Sequence, residues 1–370
     1  MFIEKQDSNL IEDYTDLLKI IGALSNLFSE SHTPYLDYRV VENIFCKSFK
    51  AVNLARFDCS ADAKKDDIGI GIKTFLHKTK NQKIAEFNEF AKELRNKEPE
   101  EQVMLISRLR NERIEFTKRN YGISKMIYHL VTRDDSKFYI LETDMDTINM
   151  ERIKIIKGTD SSLKFKDDKN EYSFNFSKST LYKKFNLDNI LIEMPVEIIE
   201  DPYEFLKYAM MKNTEAIKKS KEKEVPHVII PLFSVSKGEK FVAEKSGLNQ
   251  WNAGGRKRNI NEVYIPIRAD FYRKNPNFLP SRNKAFNVRL PNGKVINMKV
   301  CQDNGKSLMS NPNKALGLWL LREVLQLKEG ELLKYDRLKE LGIDSVILYK
   351  YNDEEYSIDF VKEDKLEEKK

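Results

Sequence analysis

The charged run Lys218–Glu224 (KKSKEKE) divides the chain into two stretches that differ in hydrophobic period and in charge, and so points to two domains. Such a run is a solvated segment rather than part of a packed element. Lys218–Pro226 is therefore expected to end one domain and link it to the next, giving 1–220 and 226–360. A length of 370 residues suits two domains.

Hydrophobic residues are 41% and charged residues 33% of the chain, enough for real cores and too apolar for a disordered or collagenous polymer. The longest apolar runs, such as Ile190–Ile199, are interrupted by acids (Glu193 and Glu197) and fall short of the roughly 18 residues that span a bilayer. The acidic start MFIEKQDSNLIEDY has neither the basic nor the apolar region of a signal peptide. Three isolated cysteines, Cys46, Cys59 and Cys301, argue against a disulfide framework or a Cys-rich zinc site. A protein of a reducing cytoplasm, with no membrane partner, is expected. From Ser246 to Arg322, 14 Lys or Arg stand against three acids, a net of +11; with +6 for the whole chain, the remainder carries −5. A local basic patch of this size is what a nucleic-acid partner requires.

Helical spacing marks residues 8–30, with Ser8 as N-cap, and a stretch from about Pro34. VNLARFDCSADA and IGIGIKTFL read as two strands joined by KKDD. Helical patterns return over Gln82–Lys97 and from Pro99 to Asn120, followed by short alternating strands up to EYSFNFS. Beyond Pro226 the strand candidates are EVYIPIRADF, AFNVRLPNGKVINMKVC with an Asn-Gly hairpin turn, SVILYKYN and EYSIDFV. Short helices near Asn313–Leu325 and Lys334–Leu341 interrupt them. The expected fold class is an α/β first domain, a mixed sheet flanked by helices, followed by a mainly-β, partly open barrel.

The segment Asp58–Glu86 (DCSADAKKDDIGIGIKTFLHKTKNQKIAE) carries candidate chemistry. Phosphodiester hydrolysis needs a hard cation held by carboxylates and an activated water, and a lysine beside them orients the water and stabilises developing charge. Lys73 sits in the apolar strand GIGIKTF, on the face shared with Gly69 and Gly71, which is expected to be left open for a backbone or ligand. The usual second acid, two residues before the lysine, is replaced by Gly71. Glu86, 13 positions after Lys73 on the expected helix and facing the same side as Gln82, is the candidate substitute. Among Asp58, Asp62, Asp66 and Asp67, Asp62 is chosen as first acid because Asp66 and Asp67 fall in the turn. Glu42, in the preceding helix, is an outer candidate for metal or water.

With Asp62, Lys73 and Glu86 in these places, the segment resembles the PD-(D/E)xK restriction endonucleases, in the variant whose second acid has moved to the following helix. The resemblance implies Asp62, Lys73 and Glu86 as catalytic residues, Asp62 and Glu86 as metal ligands, and Mg2+ as cofactor. LNQWNAGGRKRNINEVYIPI, FNVRLPNGKVINMKVCQDNGKSLMSNPNKALGLWLLREVLQL and VILYKYNDEEYSIDF are similar to the restriction-enzyme members of the plant B-three-type DNA-binding pseudobarrels, such as the NgoFVII-like and EcoRII effector domains. In that family two arms clasp the major groove. The matching residues are Asn249, Gln250, Trp251, Arg256, Lys257, Arg258 and Asn259 in the first arm. In the second they are Gln302, Asp303, Asn304, Lys306, Ser310, Asn311, Asn313 and Lys314. Their composition suits DNA contact, with Arg and Lys for guanine edges and phosphates and Asn and Gln for adenine edges. Because side chains alternate along an extended arm, Arg256 and Arg258 are expected to face the groove and Lys257 a phosphate.

A phospholipase-D-type nuclease needs H-x-K motifs, and none of His32, His77, His129 or His227 has Lys two residues on. An HNH or zinc nuclease lacks its ligands, and no G-x-x-x-x-G-K-[ST] loop is present. The resulting expectation is a type II restriction endonuclease that cuts double-stranded DNA with Mg2+, as a homodimer, beside a companion methyltransferase. The alternative is a non-catalytic DNA-binding regulator whose first domain dimerises.

Overall fold

A computed structural model describes residues 1–55, 57–212, 225–250, 259–282 and 284–363. They fall into two compact units of mixed α/β structure. The first comprises Met1–Arg56, Ser60–Ile114 and Ile123–Glu222; the second comprises Phe57–Cys59, Glu115–Gly122 and Lys223–Lys370. No described helix is long and apolar enough to cross a membrane.

In the first unit, α1 (Ser8–Ala23) follows Asp7 as N-cap, and α2 (Tyr38–Ser48) starts at Asp37, whose carboxylate accepts from Arg39 N at 2.9 Å. Then come β1 (Val52–Asn53), β2 (Ala63–Lys65), β3 (Ile68–Leu76) and β4 (Asn81–Glu86). Next are α3 (Ala91–Arg95), α4 (Pro99–Tyr121), whose residues from Glu115 on belong to the second unit, β5 (Lys125–Asp134) and β6 (Lys137–Asp144). The meander β7 (Lys154–Gly158), β8 (Ser162–Lys166), β9 (Glu171–Asn175) and β10 (Thr180–Lys184) precedes β11 (Ile192–Pro195) and α5 (Pro202–Lys212). One sheet has the order β1-β2-β3-β5-β6-β11, with β3 and β5 parallel from Ile68↔Lys125 to Leu76↔Arg133. A parallel pair requires a long crossover, here the passage through β4, α3 and α4. Tyr14, Leu18, Val41 and Phe45 of α1 and α2 cover one face of this sheet, packing on Ile70, Ile72, Ile127 and Val131. The second sheet, β4-β10-β9-β8-β7, is antiparallel throughout and buries one face against Leu94, Val103, Ile106 and Leu109.

The expected helix over Gln82–Lys97 is corrected. Residues 81–86 form β4, and only Ala91–Arg95 is α-helical. Ile84, Phe87, Phe90 and Leu94 all reach one core, and their spacing of three to four residues imitates a helix although the first comes from a strand.

In the second unit, β12 (His227–Pro231), β13 (Ser234–Ser236), β14 (Glu239–Phe241), β15 (Tyr264–Pro266) and α6 (Phe271–Lys274) precede β16 (Ala285–Arg289), β17 (Val295–Cys301) and β18 (Ser307–Ser310). A helix formed by α7 (Ala315–Gly317) and the wider-wound Leu318–Val324, then α8 (Tyr335–Leu341), β19 (Ser345–Lys350) and β20 (Glu355–Val361), complete it. A curled seven-stranded sheet runs β12-β19-β20-β16-β17-β18-β15, antiparallel except for β16 with β20. The β16–β17 hairpin is closed by five residues, 290–294, rather than a two-residue turn, with Gly293 at φ 86°. The core gathers Val263, Ile265, Val288, Val300, Leu308 and Trp319, and takes in Phe116 from the end of α4.

Candidate functional site

Three of the residues singled out in the first unit meet at the β2–β3 end of its larger sheet. Asp62 precedes β2, where its N–H donates to Ile70 O at 2.8 Å and its Oδ2 accepts from Ile72 N at 2.7 Å. These two bonds hold the carboxylate beside β3, with Oδ2 3.7 Å from Lys73 Nζ. Both side chains keep solvent access, at 30% for Lys73 and 24% for Asp62. Glu42 approaches from α2. Its side chain is 6% exposed and accepts from Arg39 Nη1 at 3.0 Å; the same nitrogen donates to Ala55 O at 3.1 Å. Burial raises the Glu42 pKa, and the charge of Asp62 raises it further; Arg39 and Lys73 pull it back. The arrangement is thus two interacting carboxylates, one anchored by backbone and one by a guanidinium, with an ammonium beside them.

Glu86 is not brought to this cluster. It ends β4 in the other sheet, exposed, paired with Lys83 Nζ at 2.8 Å, and its carbonyl accepts from Arg113 Nη1. Nor do the glycines leave a face open. A Cβ at Gly71 would lie 2.5 Å from Met145 Cε and 3.2 Å from Tyr128 Cδ1; at Gly69 it would lie 2.9 Å from Ile123 Cδ1. That space is filled by packing, so position 71 has no room for an acid. Asp66 and Asp67 form the β2–β3 turn as expected, Asp66 with φ 53° and Asp67 accepting from Ser124. Asp58 groups with the second unit, where it accepts from Lys362 N at 2.7 Å. Glu42 carried one sequence signal, Arg39 three residues earlier on the same helix face.

In the second unit, Trp251, Arg256, Lys257 and Arg258 lie outside the described residues; the stems of the first arm do not. Asn249 donates to Ala243 O and Leu333 O, both at 3.1 Å, and accepts from Leu333 N at 2.7 Å. Gln250, with φ 63°, donates to Ile260 O across the two stems. Asn259 accepts from Asn261 N at 2.9 Å. Arg322, on the helix after β18, donates to Asn261 Oδ1 at 2.8 Å, Ile260 O at 3.1 Å, and the carbonyls of Leu327 and Lys328. The helix passes so close that a Cβ at Gly317 would collide with Asn261 O. Asn249 and Gln250 are thus held by backbone at the foot of the arm, and Arg322, which the sequence left unremarked, secures the other stem.

The residues of the second arm divide between a tight loop joining β17 to β18 and the segment that follows β18. Gln302, Asn304 and Gly305 have φ of 65°, 57° and 67°. Tyr272 Oη donates to Gly305 O at 2.9 Å and would stand 2.5 Å from any Cβ there, so the loop is braced from α6. Gln302, Asp303, Asn304, Lys306, Asn311 and Lys314 are exposed, and Asn313 is half-buried. Asp303 pairs with Arg282 Nη1 at 3.0 Å. Ser310 is corrected as a surface residue. It is fully buried, donates to Pro312 O at 2.9 Å and accepts from Leu316 N at 2.8 Å, so its hydroxyl caps the start of α7.

This is a curled β-sheet with a polar loop after β17 braced by Tyr272 and a segment at Ile260 and Asn261 held by Arg322. Residues 224–352 match the model of the NgoFVII C-terminal B3-like DNA-binding domain. The match spans both arms and places DNA among the partners of this chain. The matching model is of a DNA-binding domain named from a restriction enzyme. No curated protein gives a significant match.

Proposed function

We propose that the protein is a type II restriction endonuclease. In this reading the B3-like domain selects the site, and Glu42, Asp62 and Lys73 act on the phosphodiester. The observation that carries it is the approach of Lys73 to Asp62 with Glu42 charge-coupled to both. The role of second acid, expected of Glu86, passes to Glu42, the carboxylate whose charge interacts with Asp62.

Two hard oxygen donors fit Mg2+, which takes one or two protein carboxylates and leaves its other positions to water and phosphate. Among the described residues no group of three or more His, Cys, Asp and Glu that could hold a metal ion is found. Burial, and after it the charge of Asp62, raise the Glu42 pKa, and a cation held by these carboxylates would favour the ionised form. Bound there, Mg2+ would supply charge neutralisation at the phosphate and acidify a water. Asp62 is oriented by Ile72 N, Glu42 by Arg39, and Lys73 is poised to hold the attacking water and offset charge on the phosphate oxygens. One cluster per chain cuts one strand at a time, so cleavage of both strands calls for a homodimer or two sequential cuts. A companion methyltransferase would protect the host.

The test is incubation of the full chain with mixed-sequence plasmid DNA and Mg2+. Discrete fragments are expected, and their ends give the recognition sequence. Intact plasmid at saturating protein, with binding retained, would instead favour the DNA-binding regulator.

A further inference from the structure

The open face of the five-stranded sheet in the first unit carries an unusual array of lysines. Lys154 and Lys157 of β7 and Lys164 and Lys166 of β8 are all exposed. They stand directly opposite one another as two like-charged pairs, Lys154↔Lys166 and Lys157↔Lys164. Like charges directly opposite on a sheet destabilise it. The alignment depends on a register shift between Ile155 and Lys157. The extra residue Ile156 lets lysines three apart on β7 face lysines two apart on β8. Among the described residues none of these four ammonium groups has an ion-pair partner, whereas Lys184 on the same face is held by Glu171 at 2.8 Å. The Glu171 carboxyl is kept below its ordinary value first by the hydrogen bond from Lys184, then by the charges of Lys184, Lys166 and Lys164, so the field of the array reaches the next strand.

Lysines commonly blunt an exposed edge strand, and that would account for β7. It does not account for Lys164 and Lys166, because β8 lies inside the sheet. Nor are they needed for packing, since the reverse side of β8 is buried through Leu163 and Phe165. Four such cations on an extended, rigid face, at roughly 5 Å across strands and 7 Å along them, suit a polyanion that offers charges at a similar spacing. In a chain that carries a DNA-binding domain, the complementary polyanion is the phosphate backbone.

We propose that this face is a second, sequence-independent DNA-binding surface, separate from the arms of the B3-like domain. The inference rests on the reading of the protein as a DNA nuclease and adds a backbone clamp to it.

The experiment compares full-length parent with a Lys154→Gln, Lys157→Gln, Lys164→Gln, Lys166→Gln variant. Binding to a short mixed-sequence duplex is followed by fluorescence anisotropy across a salt series. Each phosphate contact contributes about 0.9 to the slope of log K against log salt, so the variant is expected to lose roughly 2–4 from that slope and at least about tenfold in affinity at low salt. Its Tm should stay close to that of the parent, because the loss of two repulsive pairs is set against the lost attraction of Lys166 and Lys164 to Glu171. A control variant with Lys19, Lys97, Lys137 and Lys207 changed to Gln removes as much charge elsewhere and should keep the parental slope. An unchanged slope in the first variant, or an equal loss in the control, overturns the proposal while leaving the nuclease reading intact. A parent that binds no duplex overturns both.

Discussion

Lys73 Nζ stands 3.7 Å from Asp62 Oδ2, and the same oxygen accepts the N–H of Ile72, the residue just before Lys73. One strand thus holds Asp62 and Lys73 together, and Glu42 of α2 feels the charges of both; Glu86 is in another sheet, paired with Lys83.

The two glutamates therefore separate cleanly by mutation. Glu42→Gln is expected to lower single-turnover cleavage by on the order of 10² or more, the range for loss of a group acting at the reacting centre. Glu86→Gln should stay within about twofold of the parent. Loss of cleavage in Glu86→Gln with normal folding would restore the acid expected from the sequence and remove Glu42 from the site.

The arms depend on their stems. Arg322 donates to Asn261, Ile260, Leu327 and Lys328, a set that only a guanidinium fork can serve. Arg322→Lys should destabilise the second unit by about 1–3 kcal/mol in thermal unfolding and weaken discrimination between the recognised duplex and one with a changed base. Arg256→Ala or Arg258→Ala should relax one base position without that loss of stability, whereas Lys257→Ala should weaken all duplexes alike. Competition binding on the three variants distinguishes base reading from a backbone clamp.

Asp359 gives a pH signature. Burial lifts its pKa from 3.8 to about 7, although Phe360 N, Tyr121 Oη and Asn120 all donate toward it. The folded state thus keeps a proton that the unfolded chain releases near 3.8, and stability from this group is fully present below that pH and lost as pH rises through about 7. Subtracting the Tm profile of Asp359→Asn from that of the parent should show a fall between about pH 4 and 7. A flat difference would mean that Asp359 is ionised in the fold.

Much of this was legible in the sequence where local pattern and tertiary role coincide. The alternation in SKMIYHLVTR and KFYILETDM marks β5 and β6, whereas in QDNGKSLMSNPNK only the flanks, residues 302–304 with Lys306 and residues 311–314, reach the surface, on either side of the buried strand β18. Local pattern misleads where residues distant in sequence complete a structure. Phe116, Asn120 and Tyr121 pack or bond within the second unit although a hundred residues precede the linker, so a boundary at Pro226 omits part of that core. Ser310 looked like a polar loop residue because nothing in SLMSNPNK announces that its hydroxyl turns inward to cap α7. Gly71 looked like an open face because Met145 and Tyr128, which fill it, come from elsewhere in the chain.

Lys73, in the proposed function, acts on DNA that the B3-like domain holds, and a paired measurement on Lys73→Ala decides this. Duplex affinity and single-turnover cleavage are read on the same full-length protein, with Mg2+, beside the parent. Affinity within about threefold of the parent is expected, with a cleavage rate lower by on the order of 10²–10⁴. Cleavage at the parental rate, with binding unchanged, would contradict it.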